Sequence, residues 1–161
     1  MVKLNISHLI MDVDGTLTDG QVYIGEHGEL CKGFYVRDGL GIKKAMAAGI
    51  KPVILTSRES EIVKRRCEEL GIKEIYQGVE NKEVFLRNYV KEKDFSLSSI
   101  AYIGDDENDL GAISLVGLAG CPLDAVDTIK AKATFISRFK GGNGAVREFC
   151  ELIIEKNSKR M

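Results

Sequence analysis

The sequence predicts a doubly wound α/β fold built on a mostly parallel sheet. Three observations lead there. Short apolar runs alternate with longer stretches of helical period along the chain, the pattern of βαβ units. Gly49 and Gly71 stand where two of the helical stretches end, as C-terminal caps do. Polar and acidic residues gather where apolar runs stop, at Asp12, Thr56 and Asp105, and parallel sheets bind ligands at the carboxyl ends of their strands.

The elements follow in order. Strands are expected at residues 9–13, 52–56, 75–77, 100–104, 116–119 and 134–136, and helices at 40–48, 59–70, 82–93 and 145–156. Together they make a Rossmann-like sheet. One segment breaks the alternation. Residues 21–24 and 30–36 have no helical period and read as two strands joined across Gly25 to Glu29, whose glycines suit a tight hairpin. Val22, Ile24, Phe34 and Val36 are its apolar members and need burial somewhere. The hairpin follows the first acidic residues directly, so it is expected to stand beside them as a flap. His8 belongs to the first strand as a structural residue and His27 to the hairpin turn. The polar residues 157–161 are expected to fray.

The chain has 161 residues, 44% hydrophobic and 29% charged, which fits a single domain over 1–161 with a proper core. The net charge of -1 gives no basic footprint for nucleic acid. No apolar run reaches the ~20 residues that cross a bilayer, and the N-terminus lacks a signal-peptide core, so a cytoplasmic location without membrane partners is expected. Cys31, Cys67, Cys121 and Cys150 are scattered with no C-x-x-C pair and read as reduced, mostly partly buried thiols. Two histidines, far apart, leave little material for a histidine metal site or a serine triad.

The most informative segment is His8-Leu9-Ile10-Met11-Asp12-Val13-Asp14-Gly15-Thr16. Alternate residues of a strand point the same way, so Asp12 and Asp14 would leave its end together. Gly15 permits a sharp turn. Two crowded carboxylates call for a positive guest, and a hard cation such as Mg²⁺ takes oxygen ligands while leaving room for a phosphate. Thr56, in Thr56-Ser57-Arg58, could donate a hydroxyl to a phosphate or serve as a helix N-cap, and the two roles are compatible. Lys82 opens a helix, where the macrodipole disfavours a cation; a phosphate would offset that, and a solvated surface lysine is the alternative. Ile103-Gly104-Asp105-Asp106-Glu107-Asn108-Asp109 places four acids in five positions after an apolar strand, either a surface acidic loop or a metal site.

Taken in order, D-x-D-G-T, Thr, Lys and G-D-D-x-x-D resemble the haloacid dehalogenase superfamily of phosphohydrolases, over nearly the whole chain. The resemblance implies that Asp12 attacks phosphorus to form an aspartyl-phosphate. Asp14 would protonate the leaving alcohol and then activate water, with its backbone carbonyl joining Asp12 and Asp105 as ligands of Mg²⁺. Thr56 and Lys82 would hold the phosphoryl group, with backbone donors around Gly15 adding to the screening. Asp106 would orient Lys82 or a metal-bound water, and Asp109 would support that network.

About 40 residues separate Asp14 from Thr56 and about 25 separate Thr56 from Lys82, too few for a cap domain of typical size. Asp19-Gly20-x-x-Tyr23, Phe34-x-Val36-Arg37-Asp38-Gly39-x-Gly41-Ile42, Tyr76-Gln77-Gly78 and Gly141-Gly142-x-Gly144-Ala145-Val146-Arg147-Glu148 resemble the 3-deoxy-D-manno-octulosonate 8-phosphate phosphatase family. That resemblance implies an eight-carbon keto-acid phosphate substrate from lipopolysaccharide synthesis. It also implies a homotetramer in which hairpins build a barrel and a neighbouring subunit caps each site. Arg58, Arg37 and Arg147 are candidates to pair with the substrate carboxylate, with Gly15 and Ser57 beside them. Ser57 departs from the family's usual glycine, and Asn143 from its frequent arginine. The glycine-rich segment before Ala145 reads equally as a substrate contact or a helix entry loop. The alternatives are a phosphatase of nine-carbon sialic-type acid 9-phosphates or another small sugar phosphate, a scaffold that kept the fold without catalysis, and, more remotely, a phosphoacceptor signalling domain. The last would need an aspartate where the middle strand has Thr56.

Overall fold

The computed structural model describes residues 4–158. Six strands, β1 (His8–Met11), β4 (Lys51–Leu55), β5 (Glu74–Tyr76), β6 (Ile100–Ile103), β7 (Leu118–Cys121) and β8 (Phe135–Ile136), form one parallel sheet in the order β5-β4-β1-β6-β7-β8. β2 (Tyr23–Gly25) and β3 (Gly28–Cys31) form a separate antiparallel hairpin between β1 and the first helix. Strand periodicity splits the apolar side chains between two faces. Leu9, Met11, Ile54, Ala101 and Ile103 join one core, while Ile10, Val53, Leu55, Ile100 and Tyr102 join the other. The first is covered by α1 (Val36–Ala47), α2 (Glu61–Leu70) and α6 (Ala145–Ser158); the second by α3 (Lys82–Lys93), α4 (Leu110–Ile113) and α5 (Asp127–Lys132).

This is the doubly wound sheet that the alternation predicts. The chain winds outward from β1 through β4 to β5, then returns to β6 on the other side of β1. That reversal creates a crevice at the carboxyl ends of β1 and β6, the usual ligand position in such sheets. Among the described residues no helix is long and apolar enough to cross a membrane.

Several boundaries differ from expectation. The second hairpin strand ends at Cys31, and Val36 opens α1 instead of ending a strand. Phe34 packs against the core, whereas Val36 is 78% exposed. Gly39 and Gly41, poor helix formers, are held in α1 by close packing. A Cβ on Gly39 would meet Arg66 and Leu70 of α2, and one on Gly41 would lie 2.9 Å from the Arg147 Cα of α6. The strand expected at 116–119 lies two residues later, set by pairing of Ala101 with Leu118. α2 starts at Glu61 because Ser60 caps it, accepting from the Val63 N–H. Asn157 does not fray: its side chain accepts from the Ile6 N–H (3.0 Å) and donates to the Ile6 carbonyl (2.8 Å). Residues 159–161 of the expected tail lie outside the described residues. All four cysteines are free; Cys67, Cys121 and Cys150 are buried and Cys31 is exposed.

Asp38 shows how α1 holds α6. It is 1% exposed, and its Oδ1 accepts the Arg147 N–H at 2.9 Å, so one helix caps the start of another. Burial raises its carboxyl to about 6, against the backbone donors and the Arg147 charge. Below the ordinary carboxylate value both folded and unfolded chains carry this proton. As pH rises the unfolded chain ionises first, so up to about 3 kcal/mol of stability is lost between about pH 4 and 6. The stability of Asp38→Asn relative to the parent is therefore expected to rise across this window in urea unfolding. A difference constant with pH would refute the assignment.

Candidate active site

β1 delivers Asp12 to the crevice. The Asp12 N–H continues the ladder to the Ile103 carbonyl (3.1 Å), and its side chain is buried. The next turn is wound around one acceptor, because the N–H groups of Thr16, Leu17 and Thr18 all donate to the Val13 carbonyl. Gly15 sits there at φ +90°, and a Cβ on it would run into the Asp105 carboxylate. Its own N–H is engaged by Thr18 Oγ1 (3.3 Å). Thr56 directly follows β4, its N–H donating to the Tyr76 carbonyl and its carbonyl accepting the Val79 N–H. Asn81 caps α3 by accepting the Val84 N–H, which places Lys82 in the first turn, pointing inward and 1% exposed. The unfavourable macrodipole position is thus offset by buried carboxylates.

Lys82 Nζ lies 2.8 Å from Asp12 Oδ1 and 2.7 Å from Asp109 Oδ1. Tyr102 donates its hydroxyl to the same Asp109 oxygen (2.5 Å), and Asp109 Oδ2 accepts the N–H groups of Asp105 and Asp106 (3.0 and 3.3 Å). Both Asp109 oxygens are therefore engaged by protein donors. It is Asp109 that orients Lys82. The Asp106 carboxylate instead accepts the Glu107 N–H (2.7 Å), because it caps the short helical turn 107–109. Burial and then the Asp109 charge raise the Asp12 carboxyl above its ordinary value, with Lys82 pulling the other way. Burial and then the Asp12 charge raise Asp105 as well. Burial alone would lower Lys82, but the Asp12 and Asp109 charges hold its ammonium above the usual lysine value.

Asp12, Asp105 and Asp109 each offer an oxygen within 4.8 Å of the others. With Asp109 committed, Asp12 and Asp105 are the acids left for a cation. All-oxygen donors and two crowded carboxyls fit a hard divalent ion such as Mg²⁺. The Asp14 carboxylate is not in this cluster. It turns to Lys32, with Oδ1 at 2.5 Å from Nζ.

Asp12, Asp14, Asp105 and Asp106 line a cavity of about 170 Å³, completed by Thr56, Ser57, Arg58 and Asn108. Ser57, the departure from the family's glycine, donates to the Val79 carbonyl (3.0 Å) and accepts from Asn108 (3.1 Å), tying three loops together. Arg58 stands 3.9 Å from both Asp14 Oδ2 and Glu29 Oε2. Arg37 and Arg147 do not line this cavity. Arg147 pairs with Glu151 (2.6 Å) and its guanidinium reaches the Arg37 carbonyl (3.5 Å), while Arg37 is exposed on α1. The glycine-rich segment braces the catalytic turn. The Gly142 N–H donates to the Thr16 carbonyl (3.0 Å), and a Cβ on Gly141 would run into the Gly15 carbonyl. Asn143 is exposed beside it. Sequence reasoning missed Lys32, Glu29, Tyr102 and Asn108. Only the expected hairpin flap pointed toward the first two.

Comparison with known proteins places the chain in a family. A family model for haloacid dehalogenase-like hydrolases matches residues 72–149. The 3-deoxy-D-manno-octulosonate 8-phosphate phosphatase KdsC of Escherichia coli K12 is 40% identical over 155 residues, 96% of this chain and 82% of that protein. The crystal structure of the Moraxella catarrhalis 3-deoxy-D-manno-octulosonate 8-phosphate phosphatase, in complex with magnesium ion, phosphate ion and KDO, is 42% identical with a TM-score of 0.91, covering 95% of this chain and 88% of that one. The cobalt-bound Haemophilus influenzae deoxy-D-mannose-octulosonate 8-phosphate phosphatase is 40% identical with a TM-score of 0.91, covering 96% and 91%. This chain is a phosphatase, and it belongs to the 3-deoxy-D-manno-octulosonate 8-phosphate phosphatase family of haloacid dehalogenase-like hydrolases.

Proposed function

We propose that the chain hydrolyses 3-deoxy-D-manno-octulosonate 8-phosphate through an aspartyl-phosphate on Asp12. The observation that carries this reading is the Asp12 carboxylate at the cavity, with one oxygen held by Lys82. That contact orients the carboxylate so that Oδ2 attacks phosphorus. The phosphorus–oxygen ester bond breaks, its electron pair stays on the sugar oxygen, and that oxygen takes a proton from Asp14. Asp14 then accepts a proton from the water that attacks the phosphorus of the aspartyl-phosphate, the bond from phosphorus to Asp12 breaks, and inorganic phosphate and the free Asp12 carboxylate result. Thr56 and Lys82 hold the phosphoryl oxygens and balance their charge. Mg²⁺, held by Asp12, Asp105 and the Asp14 backbone carbonyl, would screen the repulsion between carboxylate and phosphate.

Arg58 and Ser57 border the same cavity, which supports pairing of Arg58 with the substrate carboxylate. The hairpin exposes Tyr23, Ile24 and Leu30 at 50%, 64% and 66%, which supports burial against other copies in a tetramer that covers the small open site. The test compares turnover of eight- and nine-carbon keto-acid phosphates with Mg²⁺ and with EDTA, with light scattering on the same sample. The expected result is preference for the eight-carbon ester, loss of activity in EDTA and a tetramer. Preference for the nine-carbon ester would overturn the substrate, retained activity in EDTA the metal, and a monomer the shared site.

A further inference from the structure

Lys32 follows β3 directly, and its side chain has no solvent exposure. A lysine so placed needs partners, and it has two. Asp14 Oδ1 lies 2.5 Å from Nζ and Glu29 Oε2 lies 3.1 Å away. Glu29 in turn accepts the hydroxyl of Ser60 (2.5 Å), the residue that caps α2. The hairpin is therefore fastened to α2 through Glu29, and to the catalytic turn through Lys32. One ammonium joins these two fastenings.

We propose that Lys32 is a positioning residue for Asp14, fixing which carboxyl oxygen meets the leaving group and making that orientation depend on the seating of the hairpin. The inference rests on the reading of Asp14 as proton donor. Lys32 occupies Oδ1, while Oδ2 borders the cavity with Arg58 Nε 3.9 Å away. Oδ2 is therefore the oxygen left to pass a proton to the departing sugar oxygen. As it leaves, negative charge spreads onto Oδ1, directly against a fixed ammonium that has no reorganisation to undergo. Displacing the hairpin moves Lys32, and Asp14 moves with it. The exposed apolar hairpin and the proton transfer are in this way parts of one device.

The test compares Lys32→Met with Asp14→Asn on two esters. One is the sugar phosphate turned over best, whose alkoxide needs a proton to leave. The other is p-nitrophenyl phosphate, whose phenolate leaves without one. The quantity read is kcat/KM, which counts steps only through departure of the leaving group. Both variants are expected to lose about 10²-fold on the alkyl ester and far less on the aryl ester. A merely structural role for Lys32 would lower both esters alike. Equal losses in Lys32→Met, with the split kept in Asp14→Asn, would overturn this inference alone. Equal losses in Asp14→Asn would overturn the reading of Asp14 itself. Lys32→Gln keeps a polar head at the same place and carries the same comparison should Lys32→Met not fold.

Discussion

Asp12→Asn is expected to lower kcat by about 10⁴-fold or more while leaving the fold intact. An amide cannot form the acyl phosphate, so the loss removes the covalent step itself and not just a contact. The remaining machinery survives the change. Lys82 keeps Asp109 at 2.7 Å, and Asp109 keeps Tyr102 and two backbone donors. In the parent that ammonium is shared by two acids, Asp12 and Asp109, with Asp105 beside them. Burial and the Asp109 charge raise the Asp12 carboxyl, so its ionisation opposes folding. Stability from such a group is full below the ordinary carboxylate value and falls as pH rises through the higher folded one. In EDTA at neutral pH the variant should therefore melt at or above the parent temperature. In Mg²⁺ the order should reverse, because only the parent keeps both carboxylates for the ion. Phosphate release retained by Asp12→Asn would overturn the nucleophile assignment. A lower melting temperature in EDTA would overturn the charge argument alone.

How much of this was legible depended on the range of the interactions. β1, β4 and β6 are almost continuous apolar runs bounded by chemistry, so both they and the acids at their ends could be read directly. The four motifs lie far apart in sequence, yet parallel strands bring their carboxyl ends to one edge. That explains why Asp12, Thr56 and Asp105 were found together. α1 was less legible. Asp38, Gly39 and Gly41 argue against a helix locally, and only packing against α2 and α6 holds them in one. α4 and α5 have four and six residues, too few for a period to show. The division between Asp106 and Asp109 turned on which residue caps a single helical turn. Lys32 was not legible at all. Its partner Asp14 lies 18 residues earlier, and nothing in the hairpin sequence distinguishes a buried lysine from a solvated one. For Arg147 the sequence did hold a competing signal, since Glu151 stands one helical turn later and takes its guanidinium.

Lys82→Met should show how strongly the site depends on the buried cation that holds Asp12. Methionine matches the unbranched stem, so the change removes charge more than volume. Two carboxylates then face each other, and Asp12 loses the donor at 2.8 Å. Breaking a buried pair in this way destabilises by about 3–5 kcal/mol. Urea unfolding in EDTA at pH 8 should show a loss of that order. The loss should shrink toward pH 5, because without the lysine the Asp12 carboxyl binds a proton more readily, and once protonated it no longer repels Asp109. Activity should fall by about 10²–10³-fold and should not return at high Mg²⁺, since an ion held by Asp12 and Asp105 does not replace the ammonium that contacts Asp12 Oδ1 and Asp109 Oδ1. The decisive comparison is the double variant Lys82→Met/Asp12→Asn. It removes one charge of each sign, leaving Asp109 with Tyr102 and its backbone donors. It should recover much of the stability lost in Lys82→Met while remaining inactive, the non-additivity of residues in direct contact. If stability instead falls by the sum of the two single changes, Lys82 is not there to balance Asp12, and its burial needs another explanation.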